Sequence, residues 1–182
     1  VSMLSTLKKF ISARHSTSGI PEVVFVPDWY GSNPYLRLLE DNLKRIGHKV
    51  KYSKYPHGFF KLSTILKDYP NAHILHIHWT SGLFTELMWS QPKIKYYIKK
   101  LLFTIDLIIL KFKGVRLIWT VHNIYEHETR SSSVERSCRR FLYFFANAVI
   151  VHSDGAKKAV IETYRVWNQK KILTIPHGHY LD

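Results

Sequence analysis

Val23-Val24-Phe25-Val26-Pro27-Asp28-Trp29-Tyr30-Gly31-Ser32-Asn33-Pro34-Tyr35 is the stretch on which the fold turns. Four apolar residues ended by Pro27-Asp28 read as a short buried strand. Asn33-Pro34 then reads as a helix N-cap followed by proline at the first helical position, where its missing N–H costs nothing. Tyr35, Leu38, Leu39, Asn42, Leu43 and Ile46 recur at helical spacing, and Gly47 is placed to end that helix. Lys49-Val50-Lys51-Tyr52 follows as a second strand, so strand, loop, helix and strand fit within about 30 residues, the size of one βαβ unit.

The same alternation continues. Ala72–Trp79 predicts strand three, Pro92–Phe112 a long helix and Arg116–Val121 strand four. Ser132 and Glu135 have capping-box spacing before a helix whose apolar face carries Val134, Cys138, Phe141, Leu142 and Phe145. Ala148–Val151 predicts strand five, Ser153 an N-cap for a helix through Thr163, and Lys171–Ile175 strand six, closed by Pro176. About six short apolar strands alternating with helices predict an α/β fold: a doubly wound parallel sheet with helices on both faces.

A length of 182 residues suits one domain, assigned to residues 20–182, behind a basic N-terminal segment over 1–19 that is flexible or membrane-associated. Apolar residues at 46 % and aromatics at 14 % exclude a disordered chain. The single cysteine, Cys138, excludes an internal disulfide framework and a cysteine-rich zinc module; on a helix's apolar face it reads as structural. No uninterrupted apolar run reaches the length of a membrane span, and Val1–Ser18 does not read as a secretory signal. With 27 Lys and Arg against 13 Asp and Glu, the net charge of +14 points to an anionic partner. Nucleic acid is the unlikelier choice, because no helix-turn-helix, zinc-finger or RNA-binding signature is present.

In a doubly wound sheet the ligand crevice lies outside the C-terminal ends of the strands, near the switch in strand order. The residues that follow the strands here are Asp28 to Asn33, His78-Trp79, His122-Asn123, His152-Ser153 and His177-Gly178-His179. Four of the six strand ends carry histidine, a clustering that the fold alone does not demand. His76 and His78 share one strand face, and His177 and His179 repeat their spacing. Imidazole pairs suit transition metals, but the looseness of the motif favours a satisfied core histidine at 76 and polar cleft residues elsewhere. His122 can donate or accept at neutral pH, and Asn123, Glu126 and His127 add polar groups in the same loop, so this loop reads as a ligand-recognition element. Gly31-Ser32-Asn33 precedes a helix N-terminus able to favour an anion, although the Gly-x-Gly-x-x-Gly fingerprint is absent. Asp28, at the same strand end, reads as a candidate general base or as a turn residue.

Along the helix predicted over Pro92–Phe112, Ile94, Tyr97, Ile98, Leu101, Leu102, Ile105, Ile108, Ile109 and Phe112 form one long apolar stripe. Phe103, Leu107 and Leu110 add apolar surface on other sides, and Lys93, Lys95, Lys99, Lys100, Lys111 and Lys113 flank it. The expectation is a helix with one face on the sheet and ends that attract an anionic membrane surface, assisted by Leu4 to Arg14.

The chain resembles the bacterial GT-B glycosyltransferases of the family-4-like group. The resemblance rests on Gly31-Ser32-Asn33-Pro34-Tyr35 after strand one, Ile74-Leu75-His76-Ile77-His78-Trp79, and Trp119-Thr120-Val121-His122-Asn123 with Glu126-His127-Glu128. Ala146-Asn147-Ala148-Val149-Ile150-Val151-His152-Ser153 and Ile175-Pro176-His177-Gly178-His179-Tyr180 complete it, over about residues 20–182. It implies two Rossmann-like domains across a cleft, of which this chain is the acceptor-binding half. By the resemblance His122 matches the family's cleft histidine near the reacting sugar, and Asp28, His122 and Glu126 are the groups to test for acid–base or sugar-orienting roles. Gly31, Ser32, Asn33, His78, Trp79, Asn123, His127, His152 and Ser153 would face a saccharide or lipid-linked acceptor. His177, Gly178 and His179 would lead toward the donor side. No metal and no cofactor is expected in this half; the nucleotide-sugar donor belongs to a donor-binding domain or partner subunit that the sequence does not contain. Alone, the chain is expected to have little transferase activity. The implied setting is polysaccharide or glycolipid assembly at the cytoplasmic face of a bacterial membrane. Two other classes fit the residues: a non-catalytic membrane-anchoring subunit of a two-component transferase, and a metal-dependent hydrolase using the His-x-His pairs.

Overall fold

Six parallel strands form one sheet in the order β2-β1-β3-β4-β5-β6 in the computed structural model, which describes residues 20–31, 33–88, 93–125 and 132–176. The strands are β1 (Glu22–Val26), β2 (Lys49–Tyr52), β3 (Ala72–Ile77), β4 (Arg116–Thr120), β5 (Ala148–Val151) and β6 (Ile172–Thr174). Val24 pairs with Lys51 on one side and Leu75 on the other; Leu75 pairs with Leu117, Trp119 with Val149, and Ile150 with Leu173. Among the described residues six α-helices accompany the sheet: α1 (Pro34–Arg45), α2 (Lys61–Asp68), α3 (Ser81–Met88), α4 (Lys93–Phe112), α5 (Ser132–Phe145) and α6 (Asp154–Tyr164). The fold is α/β and Rossmann-like.

Strand order and crossover handedness together decide the layers. Parallel crossovers are right-handed. The chain steps one way from β1 to β2 and the other way at every later crossover, so α1 lies on one face and the later helices on the opposite one. The two apolar clusters match this. Val23, Phe25, Ile74, Ile118 and Ile150 pack with Tyr35, Leu36, Leu39 and Leu43 of α1. Val24, Leu75, Leu117, Trp119 and Val149 pack with Leu62 of α2, Phe84 of α3, Leu107 of α4, Leu142 of α5 and Val160 of α6.

Local signals place several helix ends where the sequence predicts them. Asn33 Oδ1 accepts from Tyr35 N at 3.0 Å, with Pro34 at the first helical turn, and Gly47 takes φ +91° just beyond the helix. Ser153 Oγ accepts from Ala156 N at 3.1 Å and starts α6. Cys138 is wholly buried, as expected of a structural residue, and burial pushes its thiol up to about 12. Strand three stops at Ile77 rather than Trp79, and the expected start of β6 is a 3₁₀ turn over Gln169–Lys171.

Two helices have no counterpart in the sequence reading, α2 and α3. The N-cap position of α2 is Phe60, which supplies no side-chain cap. Asp106 of α4 does it instead: its carboxylate accepts from Leu62 N at 2.7 Å and Ser63 N at 2.8 Å. No sequence rule connects residues this far apart. A second correction concerns α4 itself. The longer apolar stripe is not the face it buries: Phe103, Leu107 and Leu110 are the core residues, while Ile94, Tyr97, Ile98, Leu101, Ile108 and Phe112 are exposed.

Asp106→Ala is expected to cost about 1–3 kcal/mol for each amide it leaves unpaired. Asp106→Asn keeps one acceptor oxygen and is expected to cost less. Urea unfolding of both variants checks the order; equal stability of Asp106→Ala and the parent chain would refute the cap.

Candidate functional site

The switch in strand order falls between β1 and β3, and the chain segments leaving those two strands meet there. Trp29, after β1, lies 4.6 Å from Trp79, after β3, ring centre to ring centre. Trp79 stacks on His122, after β4, at 4.5 Å with ring planes 7° apart. His122 lies 5.2 Å from His152, after β5. Tyr35, in the first turn of α1, stands edge-on to three imidazoles, those of His78, His122 and His152, at 5.8, 5.3 and 5.4 Å. The result is a row of flat rings along the C-terminal edge of the sheet, with Trp29 its exposed member; Tyr30, also exposed, packs on Tyr52 at 5.1 Å.

Beneath this row two histidines are buried. His76 Nε2 is 2.8 Å from Thr120 Oγ1, the satisfied core histidine that the sequence suggests. His78 is 1 % exposed, and among the described residues neither of its ring nitrogens has a hydrogen-bond partner. Its ring packs 4.0 Å from His76 and 4.8 Å from Phe25. Burial pushes His76 down to about 3, helped by the nearby His122 and His152. Burial, then His76, His122 and His152, pushes His78 well below the ordinary histidine value. Both rings are therefore neutral in the folded chain.

Remote residues hold the loops that carry the ring row. Tyr55 Oη donates to the Trp79 carbonyl at 2.8 Å. Its ring lies against Gly82, where an added Cβ would come 2.7 Å from Tyr55 Cδ2, so a larger residue at 82 would displace it. The loop after β4 is held by Arg139 of α5, which is buried and paired with Glu135 at 2.8 Å. Arg139 Nη1 donates to the Asn123 carbonyl at 2.7 Å, and Tyr164 Oη of α6 donates to the Ile124 carbonyl at 2.6 Å. His152 Nδ1 lies 2.9 Å from the Ile175 carbonyl.

The profile of Glycosyltransferase Family 4 matches residues 11–182. The chain belongs to that family. A comparison with curated proteins found no match. The match and the Rossmann-like sheet agree with an N-terminal domain of a GT-B glycosyltransferase.

In this family-4 chain the structure brings together His78, Trp79, His122 and His152 from the sequence-predicted site. Asp28 is half-buried and its Oδ1 accepts from Tyr30 N at 3.4 Å, the turn role weighed for it. Gly31 is exposed beside it. Asn33 and Ser153 serve as helix caps, and Asn123 joins the loop through its carbonyl. Ser32, Glu126, His127, His177, Gly178 and His179 lie outside the described residues, as do residues 1–19. Among the described residues no group of three or more His, Cys, Asp or Glu side chains is disposed to hold a metal ion. Trp29 and Tyr30 fall in the Asp28–Asn33 segment that the sequence places at the crevice, without being named there as site residues; sequence reasoning missed Tyr35 and Tyr55 as site components. The available signal was positional: three of these four aromatics lie in the segment that leaves β1.

Two predictions follow from these burials. The unfolded chain takes up protons at residues 76 and 78 below about pH 6.5, while the folded chain does not until far lower pH. Stability is therefore full above pH 6.5 and falls as the pH drops toward about 3. Near pH 5 the loss from His76 is about 2 kcal/mol, with His78 adding to it in the same direction, read as a lower urea midpoint than at pH 7.5; an unchanged midpoint would count against it. Arg139→Met leaves Glu135 buried without its cation and is expected to cost about 3–5 kcal/mol. Adding Glu135→Leu should restore most of it, which a double-mutant cycle in urea would measure.

Proposed function

We propose that this family-4 chain is the acceptor-binding half of a two-domain GT-B glycosyltransferase, acting on a saccharide or lipid-linked saccharide. The observation that carries the reading is the ring row at the switch point, Trp29–Trp79–His122–His152. Binding sites are commonly apolar and aromatic surfaces with a few polar groups that fix orientation. A sugar ring has matching chemistry: C–H faces that lie on aromatic planes and hydroxyls that seek donors and acceptors at the rim. Trp29 and Trp79 offer the planes, and the His122 imidazole stacked beside them is the polar group assigned to orient a hydroxyl. His152, hydrogen-bonded to the Ile175 carbonyl, supports that ring from behind.

In the transfer itself, the acceptor hydroxyl oxygen forms the new bond to the donor's anomeric carbon. The bond from that carbon to the nucleotide leaving group breaks, and the hydroxyl proton passes to a base. His122 is the base or orienting group we assign, because its ring is held by the Trp79 stack; Asp28, and Glu126 outside the described residues, are the carboxylates to test beside it. The nucleotide sugar is assigned to a separate donor-binding domain, and this half needs no cofactor of its own in the proposed scheme. Holding acceptor and donor together in near-attack geometry is what the complete enzyme adds.

Saturation-transfer NMR of the 182-residue chain against a panel of saccharides and nucleotide sugars tests the reading. Saccharides are expected to receive saturation through their ring protons. Trp79→Ala is expected to weaken that binding about tenfold, with the circular dichroism spectrum of the folded chain kept. Binding of nucleotide sugars in place of free saccharides would reassign the chain to the donor role.

A further inference from the structure

The outer face of α4 is apolar, and among the described residues nothing in the fold covers it. Ile94, Tyr97, Ile98, Leu101, Ile108 and Phe112 follow the three-and-four spacing of a single helix face. Ile94 is 60 % exposed, Leu101 60 % and Phe112 88 %. The helix has 20 residues, so the stripe runs for about 30 Å. Exposed Lys95, Lys111 and Lys113 border it. The only acidic residue of the helix, Asp106, is fully buried on the opposite face, where it caps α2. Phe144 of α5, 74 % exposed, continues the apolar surface across a cavity of about 550 Å³ lined by Thr104, Arg140 and Phe141.

We propose that this face docks in the plane of an anionic membrane surface, with the stripe among the headgroups and the lysines on their phosphates. Charge complementarity selects that occupant. A second copy would bring another chain of net charge +14 against the same lysines, and like-charge contacts oppose association. An amphipathic helix with lysines beside an apolar face is suited to an anionic bilayer interface. The docking is parallel to the surface: no helix among the described residues is long and apolar enough to cross a membrane. The proposal rests on α4 and α5, not on the ring row, so it and the acceptor reading can fail separately.

Co-sedimentation of the 182-residue chain with vesicles tests it. At low salt the chain should bind phosphatidylglycerol vesicles at least about tenfold more tightly than phosphatidylcholine vesicles. Binding should weaken as salt rises toward about 1 M, where charges are screened within about 3 Å. Ile98→Asp with Leu101→Asp, both at exposed positions, should keep the circular dichroism spectrum and lose vesicle binding about tenfold or more. Lys95→Glu with Lys111→Glu and Lys113→Glu should weaken binding and flatten its salt dependence. Trp79→Ala should leave vesicle binding unchanged. Failure to bind phosphatidylglycerol vesicles would overturn the proposal. So would binding that survives the double aspartate substitution, or a dimer in sedimentation velocity that the double substitution dissolves without any vesicle binding in the parent chain.

Discussion

Right-handed crossover is the constraint from which the rest of this molecule follows. One step from β1 to β2 in one direction and every later step in the other gives the order β2-β1-β3-β4-β5-β6. That order leaves α1 as the helix on one face and crowds α2 to α6 onto the other. It also makes the segments leaving β1 and β3 neighbours, although about 50 residues separate them in sequence. Trp29 and Trp79 touch because of that topology, and the ring row is a product of it.

The less crowded face carries the histidines. His76 of β3 and His78 just beyond its end both turn onto it, where Phe25, Tyr35 and Thr120 enclose them. Imidazole suits such a place better than a carboxylate or ammonium, because it can be uncharged near neutral pH at little cost. Enclosure then favours the neutral state, and the ring row above rests on the packed pair. Stability and site geometry are thus supplied by the same side chains.

What was legible in the sequence is what short-range chemistry decides. Asn33-Pro34 and Ser153 mark helix starts because a cap acts within three residues, and the apolar runs mark strands because burial on both faces needs them. The histidine-bearing strand ends were legible because the fold class sets where strands terminate. α2 was not, because its cap comes from Asp106. Nor was the orientation of α4: periodicity separates its apolar sets, but only the position of the sheet decides that Phe103, Leu107 and Leu110 turn inward. Tyr35 looks like one more helical apolar residue until the three imidazoles close around it.

The trans cap at Asp106 has a consequence for how the domain assembles. α2 is eight residues long, too short to persist alone, and its first amides are satisfied only when α4 is docked. The two helices should therefore open and close as one cooperative unit rather than as independent pieces. Linking residue 62 to residue 106 also raises the mean separation of native contacts, which delays such a unit relative to locally capped helices. α1 and α6 carry their caps within their own segments, whereas α2 takes its cap from α4, so its first turn is secured only through tertiary contact.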